Sequence, residues 1–326
     1  MNILITAVCN RRCPYCFAAS RVSRNSSALA SSAAGHESPY ISAENFGRAL
    51  AFVAGSEPQV GILGGEPSLH PEFAKLIEQT WASGLCAKVF TNGVWSEGAV
   101  AAVEALAGRT TENLRLIVNT NHPDITAAPE RAAQQRLFSM LPEHCSLSFN
   151  IHSLKQELGF LVDLIATYGL ARDIRLGIAA PLAEQASEFI PLPEYPHAAG
   201  LILDLARRCD AENARIGFDC GFTLCMFTAE ELGLLQLYGA DFKASCGPAI
   251  DIGMDLTAWA CFPLVTLGKS VSIDEFRDAR ELRRYFEEYF EALYETGALP
   301  ECVDCKHLKR KRCPGGCAAH VYRRYA

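Results

Sequence analysis

Segments that favour β-strands alternate with segments that favour α-helices over much of the chain, and this alternation limits the possible folds more than any other feature. Helical periodicity follows each of six short apolar segments. The strand segments are 3–8, 59–63, 87–90, 114–119, 146–151 and 174–179, and the helical segments are 42–53, 71–83, 97–106, 129–140, 154–168 and 197–208. Such βα units predict a parallel sheet. Six are too few for an eight-fold barrel, so the sequence predicts an α/β fold, a partial (β/α)6 TIM-like barrel.

The alternation stops after a further short strand at 216–218 and a helix that begins near Thr228. Beyond it the sequence is rich in cysteine, which predicts a small C-terminal cysteine-rich domain. We therefore expect a barrel over residues 1–240, with a flexible loop at about 21–38, and a second domain over 241–326. The loop prediction rests on a stretch rich in Ser, Ala, Asn and Gly that has no periodicity.

The charge and the apolar content of the chain exclude several classes of function. Its formal net charge of −7 argues against a nucleic-acid partner, because phosphate binding usually requires a basic face. No basic n-region precedes the first apolar run, and no run reaches the roughly 20 apolar residues of a membrane span. We expect a cytoplasmic protein that acts on small molecules or peptides. In that reducing compartment its 14 cysteines are first considered as metal ligands.

Three cysteines, Cys9, Cys13 and Cys16, follow the first predicted strand. Ligand-binding loops of parallel α/β folds lie at this edge of the sheet. A [4Fe–4S] cluster normally takes four cysteines, so three in one tight loop predict a cluster with one iron left open for a small chelating molecule. Zinc fits the loop less well, because structural zinc sites take four ligands in tight pairs.

The Cys-x3-Cys-x2-Cys spacing, with Tyr15 before the third cysteine, resembles the radical S-adenosylmethionine superfamily. The Gly64-Gly65-Glu66-Pro67 segment after the second strand resembles the family motif for the amino group of S-adenosylmethionine. The resemblance implies reductive cleavage of that molecule to a 5′-deoxyadenosyl radical, which abstracts a hydrogen atom from a substrate. The cofactor-binding residues that it implies are Tyr15, Gly64, Gly65, Glu66, Pro67, Thr91, Asn92 and Gly177.

The later cysteines resemble the C-terminal extension called SPASM, or its shorter relative called twitch. The matching residues are Cys246, Cys261, Cys302, Cys305, Cys313 and Cys317. This resemblance implies one or two auxiliary [4Fe–4S] clusters, with Cys246, Cys261 and Cys317 in one and Cys302, Cys305 and Cys313 in the other. Each set lacks a fourth cysteine.

Several candidates remain for these missing ligands. Cys220 or Cys225 is the candidate for the first set, and His320, an Asp or an open iron for the second. Alternatively, Cys302, Cys305, Cys313 and Cys317 hold a zinc ion.

Two neighbouring residues at the predicted domain junction, Asp219 and Cys220, are candidates for catalysis. A carboxylate and a thiol there could serve as proton acceptor and hydrogen-atom donor. Three other cysteines, Cys86, Cys145 and Cys209, flank predicted strands or helices and are interpreted as buried hydrophobic residues.

The sequence favours modification of a peptide or protein as the reaction. The alternative is oxidation, rearrangement or sulfur insertion on a small sugar or nucleoside intermediate. A non-enzyme alternative is an electron-transfer or zinc-binding protein on the same scaffold. The expected cofactors are S-adenosylmethionine and the [4Fe–4S] clusters, and the expected redox partner is a flavodoxin-type or ferredoxin-type electron donor.

Overall fold

The computed structural model describes residues 1–19, 21–22, 38–108, 112–182, 187–242, 244–247, 249–265 and 269–325. The loop predicted at 21–38 lies outside the described residues except at its ends. Among the described residues, no helix is both long enough and apolar enough to cross a membrane.

A single sheet of ten strands forms the centre of the described fold, in the order β10-β9-β8-β1-β2-β3-β4-β5-β6-β7. Neighbouring strands from β1 to β7 pair in parallel, which confirms the predicted parallel sheet. The seven strands are β1 Asn2–Thr6, β2 Gln59–Gly64, β3 Cys86–Thr91, β4 Leu114–Asn119, β5 Cys145–Ile151, β6 Asp173–Ile178 and β7 Arg215–Phe218. The first six strands correspond to the six predicted βα units, and β7 corresponds to the further short strand predicted at 216–218.

Among the described residues, six α-helices connect the seven parallel strands and four more follow the last of these strands. They are α1 Ala43–Val53, α2 Phe73–Ala82, α3 Glu97–Ala107, α4 Ala128–Met140, α5 Phe160–Tyr168, α6 Tyr195–Ala211, α7 Ala229–Leu237, α8 Ala279–Thr296, α9 Lys306–Lys309 and α10 Ala318–Tyr325. Ser42 caps α1 by accepting from the Asn45 N–H, as its position before an apolar run predicts. Helix α5 begins six residues later than predicted, because the loop after β5 buries His152 and Gln156 instead.

The two faces of the parallel strands differ in polarity. Ile3, Ile62 and Val89 belong to the face that the helices bury. On the other face, the guanidinium of Arg175 in β6 lies 5.3 Å from the ring centre of Phe90 in β3. Since β3 and β6 are not neighbours in the sheet, this contact crosses the inside of a curved sheet. The observed fold is a partial TIM-like barrel, as predicted.

Three short strands from the cysteine-rich region extend the sheet on the β1 side. They are β8 Ile250–Ile252, β9 Thr257–Ala260 and β10 Val271–Ser272. Strand β8 pairs in parallel with β1, and β9 and β10 follow antiparallel. The sheet is thus continuous across residue 240, and the division into two domains stays a prediction.

Among the three cysteines interpreted as buried hydrophobic residues, two match the interpretation. Cys145 and Cys209 are buried. Cys86 is only partly buried, because it begins β3, and its thiol donates to Asn113 Oδ1 at 3.5 Å.

Asp251 of β8 is a buried carboxyl group at the start of β1. The side-chain amide of Asn2 donates to its Oδ1 at 2.7 Å. Burial raises the pKa of Asp251 to about 7, although the N-terminal ammonium and Arg21 favour the charged form. The unfolded chain therefore loses this proton near pH 4, and the folded protein only near pH 7.

We predict that Asp251 makes the protein less stable as the pH rises from about 4 to about 7. The free energy of unfolding falls by at most about 1.4 kcal/mol per pH unit from this group. Asp251→Asn keeps the oxygen that accepts from Asn2 and removes the titration. Thermal midpoints across this pH range should therefore fall for the parent protein relative to the variant. A constant difference between the two proteins contradicts the prediction.

Candidate functional site

The loop after β1 holds Cys9, Cys13 and Cys16 at the carboxyl edge of the parallel sheet. The Cys16 N–H donates to the Cys13 carbonyl at 3.1 Å, which closes a turn between these two residues. The Arg11 N–H lies 3.4 Å from Cys9 Sγ, and the Asn121 side-chain amide lies 3.9 Å from Cys13 Sγ. All three thiols are partly buried. We name residues 7–16 the Cys loop.

Burial raises the pKa of all three Cys-loop thiols, that of Cys16 to about 12. Repulsion among the negative thiolates adds to this effect, since Cys16 is influenced by both Cys13 and Cys9. Three thiols held this way need bound cations before they ionise near neutral pH. The donor set therefore fits an iron–sulfur cluster.

The Gly64–Pro67 segment lies directly against the Cys loop. The Gly65 N–H donates to the Thr6 carbonyl and the Glu66 N–H to the Val8 carbonyl, each at 2.8 Å. A Cβ atom on Gly65 would overlap the Val8 carbonyl oxygen and lie 2.8 Å from Cys9 Cβ. Only glycine permits this approach. The two motifs, separated by about fifty residues in sequence, therefore form one unit.

The carboxylate of Glu66 is completely buried and accepts three hydrogen bonds from the chain itself. Thr91 Oγ1 and the Asn92 N–H donate at 2.7 Å, and the Ser68 N–H at 3.2 Å. Burial raises the pKa of Glu66, while these donors favour its charged form. The side chain of Asn92 donates in turn to Asn10 Oδ1 at 2.8 Å. Glu66 thus joins the predicted Thr91-Asn92 element to the Cys loop, and its contact with S-adenosylmethionine stays a prediction.

Polar side chains at the ends of β4, β5 and β6 form a ladder that reaches Tyr15. A Cβ on Gly177 would overlap Asn150 Oδ1, so these two residues touch. Asn150 donates to Asn119 Oδ1 at 3.1 Å, and Asn119 donates to the Tyr15 hydroxyl at 3.0 Å. The Tyr15 ring stacks on His152, with ring centres 4.5 Å apart. The asparagines and His152 are not among the predicted residues, although each lies at the end of a predicted strand.

Three buried polar atoms around this edge of the sheet have no hydrogen-bond partner within the described part of the chain. They are Arg11 Nη2, His152 Nε2 and Gln156 Oε1. A buried polar atom without a partner is costly and calls for a partner such as a water molecule, an ion or a ligand. The surroundings of the Cys loop therefore fit a polar small molecule such as S-adenosylmethionine as well as a cluster.

Cysteines from the predicted cluster domain and from the end of the barrel form two sets of neighbouring thiols. Each set consists of one thiol with a raised pKa and the cysteines that act on it electrostatically. The Cys261 thiol is influenced by Cys317, Cys220 and Cys246, and burial with these neighbours raises its pKa. The Cys302 thiol is influenced by Cys225, Cys305 and Cys313, and burial raises its pKa too. We name these four-membered sets the Cys261 group and the Cys302 group.

No three His, Cys, Asp or Glu side chains of the described residues surround a single metal-ion position. A [4Fe–4S] cluster does not need that arrangement, because its thiolates bind separate irons. The two groups therefore keep the donors that clusters require.

The two candidate catalytic residues have different surroundings. Asp219 Oδ2 forms an ion pair with Arg175 Nη2 at 2.6 Å, inside the barrel. Cys220 belongs to the Cys261 group instead. His320 packs against Tyr195 and Phe189.

Solved structures with this fold include SuiB of Streptococcus suis bound to S-adenosylmethionine. It superposes with a TM-score of 0.66 at 16% identity, over 99% of this chain and 73% of that chain. The same protein bound to the precursor peptide SuiA superposes with a TM-score of 0.66 at 16% identity, over 99% of this chain and 72% of that chain. The structure of anSMEcpe with bound AdoMet and the Cp18Cys peptide superposes with a TM-score of 0.62 at 15% identity, over 97% of this chain and 88% of that chain. At these identities the likeness concerns the fold.

A comparison of the sequence with curated proteins finds no match. The family comparison does find one, to the radical SAM superfamily over residues 3–168. This range is slightly more than half of the 326 residues and contains the Cys loop, the Gly64–Pro67 segment and the Thr91-Asn92 element. Sequence, fold and site therefore agree, and the chain belongs to the radical SAM superfamily.

Proposed function

We propose that this radical SAM enzyme modifies a peptide or protein substrate. The observation that carries the radical step is the single unit that the Cys loop, the Gly64–Pro67 segment and the Thr91-Asn92 element form through Gly65 and Glu66. The peptide is favoured by the structural neighbours, because SuiB binds its precursor peptide SuiA and anSMEcpe binds a Cp18Cys peptide.

Cys9, Cys13 and Cys16 would hold the [4Fe–4S] cluster of the family. When bound, cluster and S-adenosylmethionine together supply the 5′-deoxyadenosyl radical that abstracts a hydrogen atom from the substrate. The chain itself orders this edge of the sheet. Tyr15 is held by its stack on His152 and by the Asn119 amide, which fixes the end of the Cys loop.

Glu188, which follows β6 in the chain, contacts both the Cys loop and His152. The Glu188 N–H donates to the Pro14 carbonyl at 3.0 Å, and the Glu188 carboxylate accepts from His152 Nδ1 at 3.0 Å. The other ring nitrogen of His152, Nε2, is buried and has no hydrogen-bond partner among the described residues, so it is available to a bound molecule.

The experiment that tests this function uses anaerobically reconstituted, reduced protein with S-adenosylmethionine and synthetic peptides encoded by short reading frames beside the gene. We expect 5′-deoxyadenosine and a mass change in one peptide. A substrate deuterated at the reacting carbon should transfer its label to 5′-deoxyadenosine. If every peptide stays unmodified while a sugar or nucleoside becomes labelled, the peptide proposal is wrong and the radical chemistry stands.

We also propose Asp219 as the proton acceptor of the reaction. Asp219→Asn should lower product formation at least about 100-fold, the usual contribution of a general base, while 5′-deoxyadenosine still forms. Arg175→Gln is the matched control, because it breaks the same 2.6 Å ion pair and keeps the carboxylate. Equal losses in the two variants would assign Asp219 a positioning role only. Product ratios by mass spectrometry distinguish the outcomes.

The partner and the location complete the proposal. All fourteen cysteines are free thiols, which suits a reducing cytoplasm. A flavodoxin-type or ferredoxin-type protein would deliver the electron that reduces the cluster.

A further inference from the structure

The loop between β7 and α7, residues 219–228, carries two cysteines that belong to different thiol groups. Cys220 is in the Cys261 group and Cys225 is in the Cys302 group. Both residues are near the surface. Cysteines only five positions apart are thus directed towards two separate sets of thiols.

The β7–α7 loop also packs against the Cys302 group through residues that carry no charge. A Cβ on Gly316 would lie 3.4 Å from Thr223 Cγ2, so the Gly315-Gly316 turn packs on the β7–α7 loop. Cys302 Sγ lies 3.9 Å from the Gly315 carbonyl in the same turn. The Gly315 N–H points to Cys313 Sγ at 3.4 Å.

Cys225 is attached to the same surface. Its thiol donates to the hydroxyl of the buried Thr223 at 3.4 Å. Among the cysteines that act on Cys302, Cys225 has the largest electrostatic effect, ahead of Cys305 and Cys313. Cys225 is therefore a close neighbour of Cys302.

The Cys261 group is assembled around the other end of the loop. Cys261 has a φ of 70°, a left-handed conformation that costs a residue with a side chain about 1–3 kcal/mol and is often found at functional sites. The buried Tyr195 contacts this end of the loop, since its hydroxyl donates to the Gly221 carbonyl at 3.4 Å. Cys317, Cys220 and Cys225 all act electrostatically on the Tyr195 phenol.

We propose that the β7–α7 loop completes two auxiliary [4Fe–4S] clusters, with Cys220 as the fourth ligand in the Cys261 group and Cys225 as the fourth ligand in the Cys302 group. This inference rests on the iron–sulfur part of the proposed function and is independent of the substrate. With four thiolates each, neither auxiliary cluster has an open iron. The open iron of the Cys-loop cluster, which takes S-adenosylmethionine, is then not matched in either auxiliary cluster, and an auxiliary cluster offers no iron to a substrate sulfur, oxygen or nitrogen.

The structure offers one competing donor close to the Cys302 group. His307 follows Cys305 by two residues, and its buried Nδ1 has no hydrogen-bond partner among the described residues. With Leu224, Phe242, Ala244 and Arg312 it lines an open cavity of about 510 Å³ beside the β7–α7 loop. The test therefore includes His307.

The experiment measures iron and zinc per chain, and electron paramagnetic resonance after reduction, in the full-length protein reconstituted without oxygen. Three [4Fe–4S] clusters correspond to roughly twelve irons in the parent protein. Cys225→Ala and Cys302→Ala should lose the same spectral component and fall to roughly eight irons. Cys220→Ala and Cys261→Ala should both lose the other component. Cys86→Ala, which removes a thiol at the amino edge of the sheet, should change neither.

Other results would overturn the proposal. They are a Cys225→Ala variant with unchanged iron and spectrum, a loss in His307→Ala with none in Cys225→Ala, or one zinc per chain in place of a cluster. Matching spectral losses identify cluster partners even if a variant is less stable, and circular dichroism reports misfolding. Formation of 5′-deoxyadenosine by the parent protein is a separate readout, which depends on the Cys loop and fails alone if the proposed function is wrong.

Discussion

Replacing Cys13 with alanine is expected to abolish cleavage of S-adenosylmethionine. Cys13 is the middle cysteine of the Cys loop, and the side chain of Asn121 is aimed at its sulfur. Two thiolates cannot hold a cluster in which one iron already has no cysteine ligand and is left to S-adenosylmethionine. We expect the iron content to fall by roughly four per chain and 5′-deoxyadenosine to become undetectable under reducing conditions. Iron analysis and chromatography of the products measure both effects.

The matched control for this substitution is Cys86→Ala. It removes a partly buried thiol from the start of β3, at the opposite edge of the sheet. This variant should keep the iron content of the parent protein and its rate of 5′-deoxyadenosine formation. If Cys13→Ala still forms 5′-deoxyadenosine at the parental rate, the Cys loop is not the site of the radical cluster.

Replacing Glu66 with alanine is expected to have the second largest effect. The change leaves Thr91 Oγ1 and the backbone N–H groups of Asn92 and Ser68 without their acceptor in a fully buried place. Hydrogen bonds to a charged group are each worth about 1.5–3 kcal/mol, so we expect a loss of at least about 3 kcal/mol in the free energy of unfolding. Affinity for S-adenosylmethionine should fall at least tenfold, roughly 1.4 kcal/mol, as the Thr91-Asn92 element separates from the Cys loop.

Denaturant unfolding and equilibrium binding of S-adenosylmethionine measure these two quantities. Glu72→Ala is the control, because the exposed carboxylate of Glu72 pairs with Lys75 on the surface, at 2.7 Å. Glu66→Gln should give smaller losses of stability and of affinity than Glu66→Ala. It keeps one oxygen acceptor but turns an amide N–H2 towards a donor. An unchanged affinity in Glu66→Ala would show that the buried carboxylate does not position the cofactor site.

The sequence predicts the parallel strands and the main motifs well, because both depend on local patterns. An apolar segment followed by a helix marks each strand, and the Cys loop and the Gly64–Pro67 segment come directly after β1 and β2. Their contact through Gly65 follows from the adjacency of these strands in the sheet. Strands β8 to β10 have only two to four residues each and therefore show no measurable periodicity.

The fourth cysteines of the two thiol groups depend on tertiary contacts that no spacing predicts. Cys220 and Cys225 look equivalent in sequence, and both are candidates for the same set. The packing of Gly316 on Thr223 separates them, because it brings Cys225 to the Cys302 group. The sequence does not predict the hydrogen-bond partners of Glu66 either. A carboxylate in a glycine-rich turn suggests contact with a ligand, whereas in the fold it accepts hydrogen bonds from Thr91 and Asn92.

The pairing of β8 with β1 has a consequence for synthesis of the protein. Asn2 and Ile3 pair with Asp251 and Ile252, so β1 finds its second neighbour only after about 250 further residues have been made. Contacts this distant in sequence slow folding. Until β8 arrives, one edge of β1 is unpaired and open to association with other chains. Slow elongation or low expression temperature should therefore favour recovery of properly folded protein, with the Cys loop protected before its thiols oxidise.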